Sequence, residues 1–384
     1  MARKLASIVE IDSCEPIPDT DRLSVATMKG KGWRVVTGRD EFHPGDLACY
    51  FEIDSFINAD DPRFEFLKDR CLRKFVSKGG NVLREGIRIK TCKLRGVVSQ
   101  GLLMPLDKFP EVTDNIAWND EKFADEWIDG SPVEGHDVTE LLHVEHYDEV
   151  KEQLQPQTGN PISADVMGSF PTAYIPKTDE ERLANLTDWF DTMKGRRFQI
   201  SVKADGMSCT VAYSPSVDAE NPFVVCSRNL RLKRETADGA VPVYWQMAEK
   251  YKLLEKLESC YDHGGHEYAI QGEVVGPGIN GDRNHEKEYG FKVFRIWDIL
   301  NQKFLNPNET VSFCKEIDIP HVEVLETDFP FFDRCHDYDE AMEFAQGKTA
   351  EGNEREGVVL KSSDDGPFQS CKIVSNRYLM KQND

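Results

Sequence analysis

Nearly every apolar run in this 384-residue chain is short and alternates with polar positions. In FQISVKADG (198–206), Phe198, Ile200 and Val202 fall on one face, and the run stops at Lys203 before a turn supplied by Gly206. Period-two alternation marks a half-buried strand, because successive side chains leave a strand on opposite faces. Taken alone, Lys203 reads as a solvated lysine at a strand end.

The first 105 residues repeat the pattern. ASIVEID, GWRVVTG, DLACYFEID, IRIKTCKLRG and GLLMPL are short alternating or apolar runs. Turns at Pro16-Ile17-Pro18-Asp19, His43-Pro44-Gly45-Asp46 and Arg95-Gly96 separate them. About five strands at that spacing suit a small barrel of the OB type. KTCKLRGVVSQG (90–101) resembles the end of the OB modules appended to some tRNA synthetases. Residues 106–165 change character, with the acidic, Trp-bearing NIAWNDEKFADEWIDGS followed by HVEHYDEVKEQLQPQTGNPISAD. They read as a linker with one or two short helices.

From 166 to 384 strands alternate with a few helices. FVVCSR, EYAIQGEVVG, FKVFRIWDI, REGVVLKS and SCKIVS are strands. TDEERLANLTDWFDTMK (178–194) predicts a helix, with Thr178 as N-cap, Glu181 completing a capping box, and Leu183, Leu186, Trp189 and Phe190 on one face. VYWQMAEKYKLLEKLES (243–259) predicts a second, with Tyr244, Met247, Ala248, Tyr251 and Leu254 on its stripe. The expected fold is α+β: an OB-like domain over 1–105, a linker over 106–165, and a domain of antiparallel sheets with flanking helices over 166–384.

A net charge of −21 argues against wholesale non-specific binding to a polyanion, though it permits a local basic groove. The ten cysteines form no C-x-x-C and no zinc-spaced Cys/His cluster. The start, MARKLASIVEID, lacks the apolar core of a signal peptide, and no apolar run is long enough to span a bilayer. These features read as an intracellular, soluble protein with reduced thiols.

Five charged residues, Lys203, Arg228, Glu273, Glu356 and Lys372, lie on or beside the apolar strands of the second domain. Lys203 follows ISV, Arg228 follows FVVCS, and Glu273 sits inside AIQGEVVG on the face opposite Val274. Glu356 opens GVVLK, which ends in Lys361, and Lys372 lies in SCKIV. Charges on interior strands are costly unless paired or ligand-bound. Such a set either forms structural ion pairs or lines one polar cleft. In a cleft, the lysines and arginine neutralise phosphates and the carboxylates hold a divalent metal or a ribose. In FKVFRIWDI, alternation puts Phe291, Val293, Arg295 and Trp297 on one face and Lys292, Phe294, Ile296 and Asp298 on the other. Phe294 could stack on a purine, whereas Trp297 reads as core. A lysine desolvated beside a metal and other cations has its pKa pushed down and can act as a neutral amine nucleophile. This combination fits attack by Lys203 on the α-phosphate of a nucleoside triphosphate.

The motifs run in a fixed order: K-x-D-G (Lys203 to Gly206), S-R-N (Ser227 to Asn229), G-E-x-x-G (Gly272 to Gly276), F-x-x-F (Phe291 to Phe294), E-G-V-V-L-K (Glu356 to Lys361), then Lys372. That order resembles the covalent nucleotidyltransferase superfamily of DNA ligases, RNA ligases and mRNA capping enzymes. FPTAYIPKTDEERLANL (170–186) and SCKIVSNRYLMK (370–381) are similar to the Deinococcus-type RNA ligase family, which also carries an N-terminal OB-like domain.

The resemblance implies an ATP-grasp-like nucleotidyltransferase domain and an ATP-dependent RNA ligase. Such an enzyme seals 3′-OH/5′-phosphate breaks through a lysyl-AMP and an adenylated RNA 5′ end, with Mg2+ or Mn2+. Lys203 would be the adenylated nucleophile, with Asp205 of the same motif among the catalytic residues. Arg228 would contact the nucleotide or the 5′-phosphate strand. Glu273 would bind the ribose and, with Glu356, the metal. Phe294 would sandwich the adenine, Lys361 would contact a phosphate, and Lys372 would draw charge off the α-phosphate. One departure stands out. Superfamily members often show two lysines one residue apart in the last motif, whereas Ser370 and Val374 flank Lys372 here, leaving Lys361 as the cation that could compensate. The implied partner is RNA, as a nicked duplex or as ends on an RNA or DNA template, bound by a monomer with no membrane. Lys90, Lys93, Arg95 and RCLRKFVSK (70–78) are candidate contacts of the OB-like domain, although each alone reads as ordinary surface. Capping enzymes and DNA ligases usually place the OB domain after the catalytic one, and twelve residues follow Lys372. A binding protein with a degenerate pocket would not be expected to keep Lys203, Glu273, Glu356 and Lys372 together.

Overall fold

The computed structural model describes residues 4–77, 79–113, 134–158, 166–280 and 286–381. The chain forms two compact units: Met1–Gly159 with Ala184–Asp188 and Leu379–Asp384, and Asn160–Leu183 with Trp189–Tyr378. Among the described residues, no helix is long and apolar enough to cross a membrane.

The first unit is built on one long strand. Ala6–Pro16 pairs with Leu47–Phe51 through its first half and with Leu23–Met28 through its second, with a register shift between Ile11 and Ser13. A bulge there bends the strand so that it serves two arms of a barrel. Arg34–Gly38 and Leu102–Pro105 complete that five-stranded sheet. Glu145–His146, Ser55–Asn58, Val82–Arg88 and Leu72–Val76 form a second sheet, and Cys92–Leu94 pairs with Val97–Ser99. Ile8, Phe51, Ile57, Phe64, Ile87 and Phe109 share the core, where Phe51 and Phe64 meet edge to face at 5.2 Å.

The expected runs all carry strands here, and sequence reading missed five more among the described residues, including Leu72–Val76 inside the basic stretch 70–78. Of that stretch, Lys78 lies outside the described residues. Of the expected linker, NIAWNDEKFADEWIDGS also lies outside them. Its later part packs into this unit: Val138, Leu142 and Val144 belong to the core, and the Tyr147–Thr158 helix sets Val150 against Phe56 and Phe75.

The second unit holds two sheets. The larger is antiparallel in the order Val166–Ser169, Leu230–Leu232, Phe223–Cys226, Met207–Tyr213, Tyr268–Val275, Gly290–Asp298, Lys303–Phe304. The smaller runs Glu181–Arg182, Ser370–Val374, Gly357–Ser362, Phe198–Val202, Val324–Phe329. One face of the larger sheet presents Cys209, Val211, Val225, Ile270, Val274, Phe291 and Val293 to Val243, Met247 and Leu257 of the flanking helices. That apolar face fixes which way Glu273 must point, since it alternates with Val274.

Three local expectations are corrected. Residues 178–194 are not a helix: Glu181–Arg182 is a parallel edge strand beside Ser370–Val374, and only Trp189–Thr192 is α-helical. No capping box forms, because the Glu181 carboxylate accepts from the Arg182 amide at 2.7 Å. Helical propensity yields to the ion pairs of Asp179 and Glu180. The 243–259 helix is two, Val243–Lys250 and Leu253–Gly264, broken where Lys252 turns left-handed at φ 51°. The break rotates the stripe, so that Leu253 and Leu257 are buried and Leu254 is exposed. Lastly, Gly272 pairs with Val293 while Gln271 pairs with Arg295, which leaves Phe294 unpaired in a β-bulge. Beyond the bulge the alternation reverses. Ile296 joins Phe291 and Val293 in one core, whereas Trp297 packs on the opposite face against Ala269 and Ile299.

Candidate active site

On the smaller sheet, Gln199 stands opposite Lys361, Ser201 opposite Val359, and Val359 opposite Lys372. Those positions share one face. Phe198, Ile200, Leu360 and Ile373 share the other and are buried. The strand ends at Lys203, whose amide still donates to the Gly357 carbonyl at 3.0 Å.

Two glycines bring the motifs together by what they lack. A Cβ on Gly206 would lie 2.3 Å from the Val274 carbonyl oxygen and 2.7 Å from Glu273 Cγ. A Cβ on Gly357 would lie 2.0 Å from the Ile373 carbonyl oxygen. Only glycine lets the K-x-D-G turn pass against the strand carrying Glu273, and lets Glu356 sit at the edge of the adjacent strand.

Lys203 Nζ lies 2.8 Å from Glu356 Oε1, and it donates to Oε2 at 2.9 Å. Burial alone would depress the amine. The carboxylates of Glu356 and Glu273 outweigh it and hold Lys203 above its ordinary value. The expectation of a depressed lysine is therefore reversed in the free protein, because carboxylates surround this amine. Burial, then the nearby Glu356 and Asp205, push Glu273 up to about 8, against the pull of Lys203. Asp205 accepts from the Tyr378 hydroxyl and from Asn280 Nδ2, the latter at 3.2 Å.

A second group of charges centres on Asp179. Its Oδ1 accepts from Lys372 Nζ at 2.7 Å and its Oδ2 from Arg228 Nη2 at 2.8 Å. The adjacent Glu180 is paired with Arg295 at 2.9 Å. Burial opposes ionisation of Glu180, but Arg295, Lys361 and Lys372 together hold its carboxyl below the usual range. The Arg295 guanidinium lies over Phe304 at 4.5 Å and Phe368 at 4.7 Å. Lys361 is 3% exposed, and burial followed by Arg295 pushes its amine down to about 7. That amine donates to the Phe294 carbonyl exposed by the bulge and lies 5.7 Å from the ring centroid. It is thus committed to the aromatic strand, which leaves Lys372 with Arg228 as the cations sharing an acid at the edge.

Lys203, Asp205, Glu273 and Glu356 thus form one cluster, and Lys372 and Arg228 a second. The two are coupled, since Lys372 acts on the Glu356 carboxylate. Sequence reading missed Asp179, Glu180, Asn280 and Tyr378. The two acids follow the FPTAYIPKT flank directly, yet local reading assigns them to the first turn of a helix. Among the described residues, no three His, Cys, Asp or Glu side chains converge as a ready-made metal cage. Glu356 and Glu273 could contribute part of a coordination sphere whose remainder comes from substrate oxygens and water, the usual arrangement for a small divalent cation.

Residues 5–106 match an OB-fold domain family, and residues 196–376 match the RNA ligase family. Structures of a Naegleria gruberi RNA ligase match the whole chain. A lysine-to-methionine variant with AMP and Mn is 31% identical, with 98% of each chain covered and a TM-score of 0.77. The same protein with PPi is 32% identical, again with 98% of each chain covered and a TM-score of 0.77. A glutamate-to-alanine variant with ATP and Mn is 32% identical, with 100% of each chain covered and a TM-score of 0.76. No curated protein matches the chain significantly.

Proposed function

This chain belongs to the ATP-dependent RNA ligases of the nucleotidyltransferase superfamily, enzymes that form phosphodiester bonds, and on that premise we propose that it seals 3′-OH/5′-phosphate RNA breaks through AMP carried on Lys203. The observation that supports this reading best is the meeting of two opposed charge clusters. One amine lies among carboxylates, and two cations lie beside it on a single acid.

In the proposed first step, Lys203 Nζ attacks the α-phosphorus of ATP. A P–N bond forms, the P–O bond to pyrophosphate breaks, and the surplus proton on the nitrogen passes to water. The amine must first be neutral, which the surrounding carboxylates oppose. A divalent cation at Glu356 and Glu273 would supply the charge that offsets both carboxylates and favours the neutral amine. Glu273 is raised first by burial and then by Glu356 and Asp205, and a bound cation would offset both influences. Lys372 and Arg228 neutralise charge on the phosphate oxygens, so catalysis is positioning and electrostatic stabilisation. Phe294, presented by the bulge whose carbonyl accepts from Lys361, stacks on the adenine. AMP then passes to the RNA 5′-phosphate, and the 3′-OH attacks that end and releases AMP, which divides one difficult condensation into easier steps.

The first unit binds the RNA backbone beside the break. Arg70, Lys93 and Arg95 are exposed there and offer phosphate contacts that carry no sequence preference.

The test is label transfer from α-labelled ATP. Wild-type protein is expected to become labelled, with the label reversed by pyrophosphate and absent in Lys203→Met. Labelling that persists in Lys203→Met would overturn the assignment. Sealing of paired RNA and DNA substrates differing only on the 3′-OH side then defines which strand the enzyme requires to be RNA.

A further inference from the structure

We propose that Asp179 is a built-in stand-in for phosphate: its carboxylate holds Lys372 and Arg228 in the places they take on a phosphoryl group, and it must withdraw before substrate binds. This rests on the reading of Lys203, Lys372 and Arg228 given above.

The geometry is that of an anion shared by two cations. One carboxylate oxygen meets Lys372 at 2.7 Å and the other meets Arg228 at 2.8 Å, as two non-bridging oxygens of one phosphate would. The three partners are not equally fixed. Lys372 stands on a central strand with its side chain 13% exposed, whereas the Asp179 side chain is 41% exposed. Asp179 lies outside any helix or strand, between Pro176, whose carbonyl accepts from Gln271 at 2.9 Å, and Glu180, pinned to Arg295. Arg228 stands in the short turn between Phe223–Cys226 and Leu230–Leu232 with its side chain 34% exposed, so Lys372 is the fixed member and the acid the most exposed of the three. The charge logic agrees. Bringing Lys372 and Arg228 together with nothing between them would be repulsive, and an internal carboxylate keeps them spaced until the external anion arrives. A site closed by its own carboxylate binds substrate only in the fraction of molecules where that carboxylate has moved away, so its apparent affinity is lowered by that fraction.

This makes Asp179 a positioning residue with an unusual sign. A scaffold residue, when removed, raises KM. A competing internal anion, when removed, lowers it. In self-adenylation, Asp179→Asn is expected to lower KM for ATP by about fivefold or more, the scale of an ordinary coupling between sites. Asp179→Glu, which restores the charge, is expected to return KM towards wild type. Inorganic tripolyphosphate should bind Asp179→Asn more tightly by the same factor. Read by calorimetry, unfolded protein lowers only the stoichiometry, so a partly unfolded sample still yields the apparent affinity of the folded fraction. A second arm uses enzyme already adenylated and measures KM for 5′-phosphorylated RNA. A fall there, without a fall for ATP, assigns the displaced phosphate to the RNA end. KM values that stay level or rise in both arms, with tripolyphosphate affinity unimproved, would overturn the proposal. The two failures are separable: level KM values with Lys203 still labelled reject Asp179 alone, while labelling of Lys203→Met rejects the underlying site.

Discussion

Lys203 Nζ and the Glu356 carboxylate are in contact across a sequence separation of 153 residues, with both carboxylate oxygens within 2.9 Å of the amine. The proposed nucleophile and the acid proposed to bind metal are thus each other's partner. Activation then means weakening that pairing, and several consequences can be measured.

Glu356→Gln removes the acid from both roles. Half-maximal self-adenylation is expected to need about 10- to 100-fold more divalent cation, on the scale of other disrupted metal sites. A titration of label transfer against Mg2+ and Mn2+ checks this, and an unchanged midpoint would place the metal elsewhere.

Glu273 links stability to pH. Its carboxyl titrates at about 8 in the folded protein, against an ordinary value of 4.5. Between those values the folded state holds a proton that the unfolded chain has released, so this group's contribution to stability declines as pH rises. In metal-free protein, the melting temperature is expected to fall as pH is raised from the ordinary carboxylate range through the folded value. Glu273→Gln should reduce that slope and raise stability at the upper end. A slope unaltered by the substitution would mean that Glu273 ionises normally.

Phe294 and Lys361 act as one unit, because the lysine binds the carbonyl of the bulge that presents the ring. Phe294→Ala and Lys361→Met are each expected to raise KM for ATP. The double variant should be less impaired than the product of the two, with a coupling of about 0.5–3 kcal/mol. Strict additivity would show that Lys361 contacts the nucleotide independently.

Gly206→Ala places a methyl group 2.3 Å from the Val274 carbonyl oxygen. Backbone cannot yield as a flexible side chain would, so a loss of about 1–3 kcal/mol is expected by chemical denaturation. Self-adenylation should fall further than stability does, since the turn also sets Lys203 against Glu273.

Much of the site was legible because strands encode faces. The alternation of Phe198, Ile200 and Val202 correctly divides the smaller sheet into an apolar and a polar side, and the polar side carries Lys361 and Lys372. The same rule failed in FKVFRIWDI, where one unpaired residue reverses every later side chain. The helix signals failed at 178–194, where Asp179 and Glu180, acids that suit a helix's first turn, serve instead as ion-pair partners.

From its residues alone, this chain determined most of its longer strands, the apolar faces of those without a bulge, and the order in which its charged side chains arrive. These are consequences of local backbone geometry and of burial. Tertiary structure alone decided that Asp179 would meet Lys372, 193 residues further on, and that the amine of Lys203 would rest on a carboxylate rather than beside a cation. Such meetings depend on strand order, register and bulges, which place distant side chains within a few ångströms and leave no periodic trace along the chain.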